Sequence, residues 1–112
     1  MSSVAHRGRQ FNVVDALSES SSQVFSDSSR WEQAKTYKLL TLLADGEHLS
    51  SSVCHKLSAN LWQVRAKTLR VLYFFDEHDI VVCHVYRKKS NKLPLNVKRQ
   101  AEQKRNAYLR EK

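Results

Sequence analysis

Three arginines stand out by type and spacing: Arg65, Arg70 and Arg87. Each lies in a stretch rich in Val, Leu, Tyr and Phe, so a β-strand would carry each one. A guanidinium is planar and donates two parallel hydrogen bonds, which suits a phosphate. Side chains alternate along a strand, and that alternation predicts one shared face for all three. Clustered guanidiniums repel and lose hydration, so the grouping favours an anionic partner. Pairing with Asp or Glu, or splaying into water, would be the structural alternative. Asp76, Glu77 and Asp79 crowd the opposite end of the hairpin. A second cationic feature follows Arg87. From His84 to Lys112 the chain has ten Lys/Arg and two acids, and the run opens Tyr86-Arg87-Lys88-Lys89. A cationic stripe fixed to a folded edge suits a polyanion, RNA first. A solvated basic helix would carry the same charge.

Other residues offer weaker chemistry. His84 titrates near neutral pH and is a candidate general acid or base; a core position beside Val82 and Tyr73 is its structural alternative. Lys56 or Lys88 could move a proton only with a lowered pKa, which crowded positive charge promotes. Tyr86 sits at a strand end, where it could stack on a base or close the core. Trp31 and Trp62 read as core aromatics. No metal or cofactor is expected. Cys54-His55 and Cys83-His84 invite a zinc reading, but strand neighbours point to opposite faces and grip one ion poorly. No phosphate-cradling glycine loop, dinucleotide fingerprint or nucleophile elbow is present.

The size of the chain bounds these options. Its 112 residues support one compact domain, with 41% apolar residues, one Pro and two Gly. The net charge of +8 favours nucleic acid, an anionic membrane surface or an acidic protein as partner. No apolar run is long enough to span a bilayer, and the first residues lack an apolar signal core. Two cysteines make no disulfide framework, so a reducing cytoplasm is expected.

The elements that must position the arginines follow from periodicity. Residues 1–8 read as a flexible tail, and 9–112 as a single domain. Gln10 to Val14 could be a first strand. Ser18 to Ser29 holds seven serines and reads as a linker or a poor helix carrying Val24 and Phe25. Ser29-Arg30-Trp31-Glu32 has capping-box spacing. The helix it starts runs Arg30 to Ala44, with Trp31, Ala34, Leu39, Leu42 and Leu43 on one face, and ends at Asp45-Gly46. Leu61–Ala66, Thr68–Phe75 and Ile80–Arg87 form an antiparallel meander. Its turns place Arg65 near Thr68 and Arg70 near Val85. A slip of one residue would break the arginine grouping. Pro94 starts a terminal helix with Val97, Ala101 and Tyr108 on its apolar stripe.

From about Trp31 to Leu109 the chain resembles the RelE/HigB-like toxins, in particular their phage-derived branch. The resemblance rests on Leu61-Trp62-Gln63-Val64-Arg65, on Leu69-Arg70-Val71-Leu72-Tyr73-Phe74-Phe75, on His84 through Pro94, and on Ala101 to Tyr108. These parts occur in the order and spacing of that family. The Gly common between the first two arginines is missing, Tyr86 stands where Phe is frequent, and the serine-rich stretch departs most.

The resemblance implies an α+β fold of RelE type: two N-terminal helices packed on a twisted antiparallel sheet, with a C-terminal helix. It implies the toxin of a type II toxin–antitoxin system, a ribosome-dependent mRNA interferase that inhibits translation in the cytoplasm. The implied partners are mRNA, the ribosome and a helix-turn-helix antitoxin of the Xre type. Arg70 matches the strand arginine that contacts the scissile phosphate, and Arg65 matches the one on the preceding strand. Arg87, Lys88 and Lys89 match the basic segment. With His84 as the proton-transfer candidate, Arg70, Arg65 and Arg87 form the expected catalytic set. Lys56, Lys67, Tyr86, Lys88, Lys89 and Lys92 form the expected RNA-contacting set. Two other classes fit the same charge. One is a ParE-like nonenzymatic toxin that binds a protein such as gyrase; the other is a basic RNA-binding protein without cleavage activity.

Overall fold

The computed structural model of the chain describes residues 10–111. The tail expected at 1–8 lies outside the described residues. The elements run β1 (Asn12–Asp15), α1 (Glu19–Ser26), α2 (Arg30–Ala44), β2 (Cys54–Ser58), β3 (Leu61–Ala66), β4 (Leu69–Asp76), β5 (Asp79–Arg87) and α3 (Leu95–Arg110). The strands form one sheet in the order β1-β5-β4-β3-β2. Strands β3 to β5 are antiparallel neighbours, as expected of the three-strand meander, and β2, which the pattern does not predict, adds antiparallel to β3. The sheet is not purely antiparallel, because β1 runs parallel to β5. Between those two strands the chain crosses α1 and α2 and then builds β2, β3 and β4, so β1 returns to an outer edge.

The serine-rich segment is a helix, and its serines have distinct tasks. Ser18 caps α1 by accepting a hydrogen bond from the Ser21 backbone N–H. Ser29 caps α2 in a full capping box with Glu32. Helix α2 has the bounds its pattern predicts and ends at Asp45, with Gly46 at φ +83°. Its buried face differs from the predicted one. Glu32, Thr36, Leu39, Leu40 and Ala44 are buried, whereas Trp31 is 58% exposed. Trp31 is thus not a core aromatic: it neighbours Glu32, and adjacent helical positions point about 100° apart.

Two apolar layers sandwich the sheet. Leu39, Leu40 and Ala44 of α2 pack on Val64, Leu69, Val71, Tyr73, Ile80, Val82 and Val85. Val24 and Phe25 of α1 join that layer. The opposite face carries Leu61, Leu72, Phe74, Val81 and Cys83, covered by Ala101, Val97 and Tyr108 of α3. The thin stripe predicted for the terminal helix is the one that docks.

Strand β5 departs from its expected register at one point. Phe75 pairs with Ile80 and Tyr73 with Val82, as tight-turn counting predicts. The register then shifts, so Leu72 pairs with His84, Arg70 with Tyr86 and Leu69 with Arg87. Cys83 is the extra residue of a β-bulge. The bulge lies just past the end of β1. Asp15 still pairs with Val82, but the Val85 N–H donates to Ser21 Oγ of α1 at 3.2 Å. The outer neighbour of β5 changes there from a strand to a helix. A register shift of one residue moves every later side chain to the other face.

That shift sends Arg87 toward the α1–α2 layer. Its guanidinium meets the Glu32 carboxylate at 3.3 Å and donates to Thr68 Oγ1 and Ser28 Oγ. Glu32 is 3% exposed and also accepts from the Ser29 and Thr68 backbone N–H groups. Burial alone would raise its pKa. The hydrogen bonds from Ser29, Thr68 and Arg87 outweigh burial and bring it down to about 2. A depressed carboxylate pKa adds stability above the unfolded value, and that stability is lost as pH falls through the folded one. We expect Glu32→Ala to cost about 2–3 kcal/mol in urea unfolding at neutral pH. The stability gap between wild type and Glu32→Gln should shrink as pH drops from about 4.5 toward 2. A gap that stays constant through this range would show that the charge of Glu32 contributes nothing.

Candidate functional site

The α3 face of the sheet stays open at one end, beyond the start of α3. Three strands bring a row of side chains there: Arg65 of β3 pairs with Arg70 of β4, and Arg70 pairs with Tyr86 of β5. Directly paired residues share a face, so the two guanidiniums and the phenol lie side by side. The next row on that face begins with His55 of β2 opposite Gln63 of β3. Together these residues line a cleft of about 420 Å³, with Lys56, Leu57, Lys88, Ser90, Asn91, Lys92 and Leu93 at its rim. Among the described residues, the lining includes no carboxylate.

Each wall of the cleft is fixed by a specific contact. Arg70 is 7% exposed, and its Nη1 donates to the backbone carbonyls of Lys67 and Leu69 at 2.6 and 3.2 Å. Lys67 adopts φ +61° in the β3–β4 turn, the conformation usually given to glycine. The turn thus holds a carbonyl against the guanidinium without a Gly. Tyr86 Oη donates to Gln63 Oε1 at 3.0 Å, which orients both side chains. Lys56 stands at the sheet edge, its ammonium 5.6 Å from the Trp62 ring centroid.

The electrostatics of the cleft are cationic. Two like charges in directly paired positions cost on the order of 0.2–1 kcal/mol. Burial first, and Arg65 second, pull the Arg70 pKa below its ordinary value. Burial raises the Tyr86 pKa, against the opposing pull of Arg70 and Arg65, so the phenol stays protonated near neutrality. His55 is pulled below the usual imidazole range by burial, then by Arg65 and Arg70. Two buried side-chain nitrogens in the cleft, His55 Nε2 and Arg65 Nε, have no hydrogen-bond partner among the described residues. Buried polar atoms are normally satisfied, so the pair marks a place for an acceptor.

The fold brings together six of the expected residues: Arg65, Arg70, Tyr86, Lys56, Lys88 and Lys92. It separates the others. Arg87 does not join Arg65 and Arg70, because the bulge turns it onto Glu32 on the opposite face. The expected three-arginine grouping is therefore corrected to two. Arg65 faces Arg70 rather than Thr68, and Arg70 faces Tyr86 rather than Val85. His84 pairs with Leu72 and lies outside the cleft, with Nδ1 3.4 Å from Ser21 Oγ. Burial and then Lys104 lower its pKa. Lys67 contributes its carbonyl to Arg70, and its side chain is outside the lining; Lys89 is exposed and outside it as well. His55 and Gln63 are the residues that the sequence reading missed as site members. Their signal was faint, since β2 has only five residues and no apolar alternation to announce it.

A small twisted sheet with helices on both faces and a cationic cleft at one end defines a class, the RelE-like α+β fold. Its solved relatives include a chain of the RelB–RelE antitoxin–toxin complex from Methanococcus jannaschii. That chain matches at TM-score 0.52 and 10% identity, over 70% of this chain and 99% of the other. No curated protein sequence matches. Residues 23–106 match the sequence profile of the phage-derived Gp49-like proteins (DUF891), and the chain belongs to that family. The resemblance to the phage-derived branch of RelE-like proteins is borne out.

The cleft geometry yields a direct test. Removing a neighbouring cation relieves the opposition to a protonated imidazole. Arg65→Gln should therefore shift the His55 titration upward when followed by NMR. An unmoved midpoint would mean that Arg65 and His55 do not share the cleft.

Proposed function

We propose that this chain is the toxin of a type II toxin–antitoxin system and acts as an endoribonuclease on mRNA, in the manner of HigB. One observation carries the proposal: Arg65 and Arg70 oppose each other in a cleft lined by no carboxylate among the described residues. The reaction is attack of an RNA 2′ hydroxyl on the adjacent phosphorus. The bond to the 5′ oxygen breaks, and a 5′-hydroxyl product leaves. Negative charge accumulates on the phosphoryl oxygens in the transition state, where fixed guanidiniums act most strongly. Arg70 has the leading role because two backbone carbonyls already hold it, so it needs little reorganisation. Arg65 is the second phosphate ligand.

Lys56, Lys88 and Lys92 would follow the RNA backbone, as a positively charged rim does for single strands. Tyr86, steadied by Gln63, offers a ring on which a base can stack. Arg87 supports the site from behind the sheet. A cleft this open gains from a partner that orients the RNA, and the ribosome would supply that orientation. Translation inhibition in the cytoplasm follows. The antitoxin we propose is a small helix-turn-helix protein of the Xre type; an antitoxin–toxin complex among the structural relatives supports an antitoxin partner as such.

Induction of the chain without an antitoxin should arrest growth and shorten polysomal transcripts. Arg70→Ala should remain folded, lower cleavage about 10²–10³-fold and restore growth. Equal toxicity of Arg70→Ala at equal expression would remove Arg70 from the mechanism. Intact transcripts with a DNA-damage response would instead indicate a protein target such as gyrase. Normal growth on strong expression would favour RNA binding without cleavage.

A further inference from the structure

We propose that His55 is a third phosphate ligand that binds as an imidazolium: it takes one proton from solvent when an RNA phosphodiester seats between Arg65 and Arg70, and it releases that proton when the cleft empties. The inference rests on the RNA reading of this cleft. Its geometric basis is independent of any family pattern. His55 heads the row next to Arg65, on the same face, through its pairing with Gln63. Its Nε2 is buried and has no partner among the described residues, and Arg65 Nε is in the same condition. Two orphaned nitrogens beside a third cation, Arg70, call for an acceptor that can take several hydrogen bonds. A phosphodiester, with two anionic oxygens, meets that demand.

Burial first, and then the charges around it, set the state of His55. Arg65 faces it from β3, Arg70 from β4, and Tyr86 from β5. Lys56 follows it on β2, while Lys88 and Lys92 approach from the segment after β5. All of these are cationic except the neutral phenol. The empty cleft therefore opposes a further positive charge, in keeping with the lowered His55 pKa. A bound phosphate reverses the local field. The proton then adds a donor at the anion, and its grip tightens as charge builds on phosphorus in the transition state.

The probe is a fluorescein-labelled 2′-O-methyl RNA pentanucleotide, which lacks the attacking hydroxyl and cannot be cut. His55 would be titrated by NMR in the full chain, free and saturated with the probe, and binding would be measured by anisotropy across pH. The His55 midpoint should rise by about one unit or more on binding. Wild-type affinity should then fall as much as tenfold per pH unit between the two midpoints, as one linked proton requires. His55→Gln should bind more weakly than wild type below the bound-state midpoint and lose that slope. Binding that depends on Arg65 and Arg70 but leaves the His55 midpoint unmoved would overturn the proposal alone. Failure of the probe to bind at any pH would remove the RNA reading along with it.

Discussion

The arrangement of this protein depends on one irregularity in β5. Cys83 occupies a bulge, and every residue after it faces opposite to where strict alternation would put it. Tyr86 thereby joins Arg65 and Arg70, and Arg87 leaves them. The bulge sits where the neighbour of β5 changes. Strand β1 ends at Asp15, and α1 takes over the edge with a serine hydroxyl in place of a backbone carbonyl. Edges and rims are where bulges re-aim side chains, and here the re-aiming assembles a site.

The flipped Arg87 also needs a partner, and Glu32 supplies it. The carboxylate is held by the N-cap of α2, the β3–β4 turn and the end of β5 at once. It ties the α1–α2 layer to the same turn whose Lys67 carbonyl fixes Arg70 on the other face. The two faces are thus linked through the two turn residues, Lys67 and Thr68. A buried carboxylate with this many donors is stable because its hydrogen bonds exceed its desolvation cost.

The cleft has the opposite character. Glu32 is saturated with donors, whereas the cleft holds cations in excess of acceptors. Folding tolerates that imbalance because the rim is wet and Arg70 has two carbonyls. Saturated polar groups behind the sheet and unsatisfied ones in front separate support from chemistry. A pair of facing guanidiniums costs stability in the free protein, and under the proposed function an anion would recover that cost.

Much of this was legible in the sequence, and the rest was not for definite reasons. The capping box, the bounds of α2, the three-strand meander and the apolar stripe of α3 all come from local patterns, and local patterns survive folding. Arg65 and Arg70 could be placed together because a two-residue error in their pairing leaves the parity of the faces unchanged. Arg87 could not, since a one-residue bulge reverses parity, and this one sits beside a contact with Ser21, distant in sequence. Trp31 shows the same limit: composition marks it as core, but the helix turns Glu32 inward instead. His55 entered the site only through strand pairing, because five residues carry too little pattern to announce a strand. The sequence by itself determined the elements and the supply of cations. Tertiary structure decided which cations face one another, because face identity depends on cumulative register and register depends on what borders each strand.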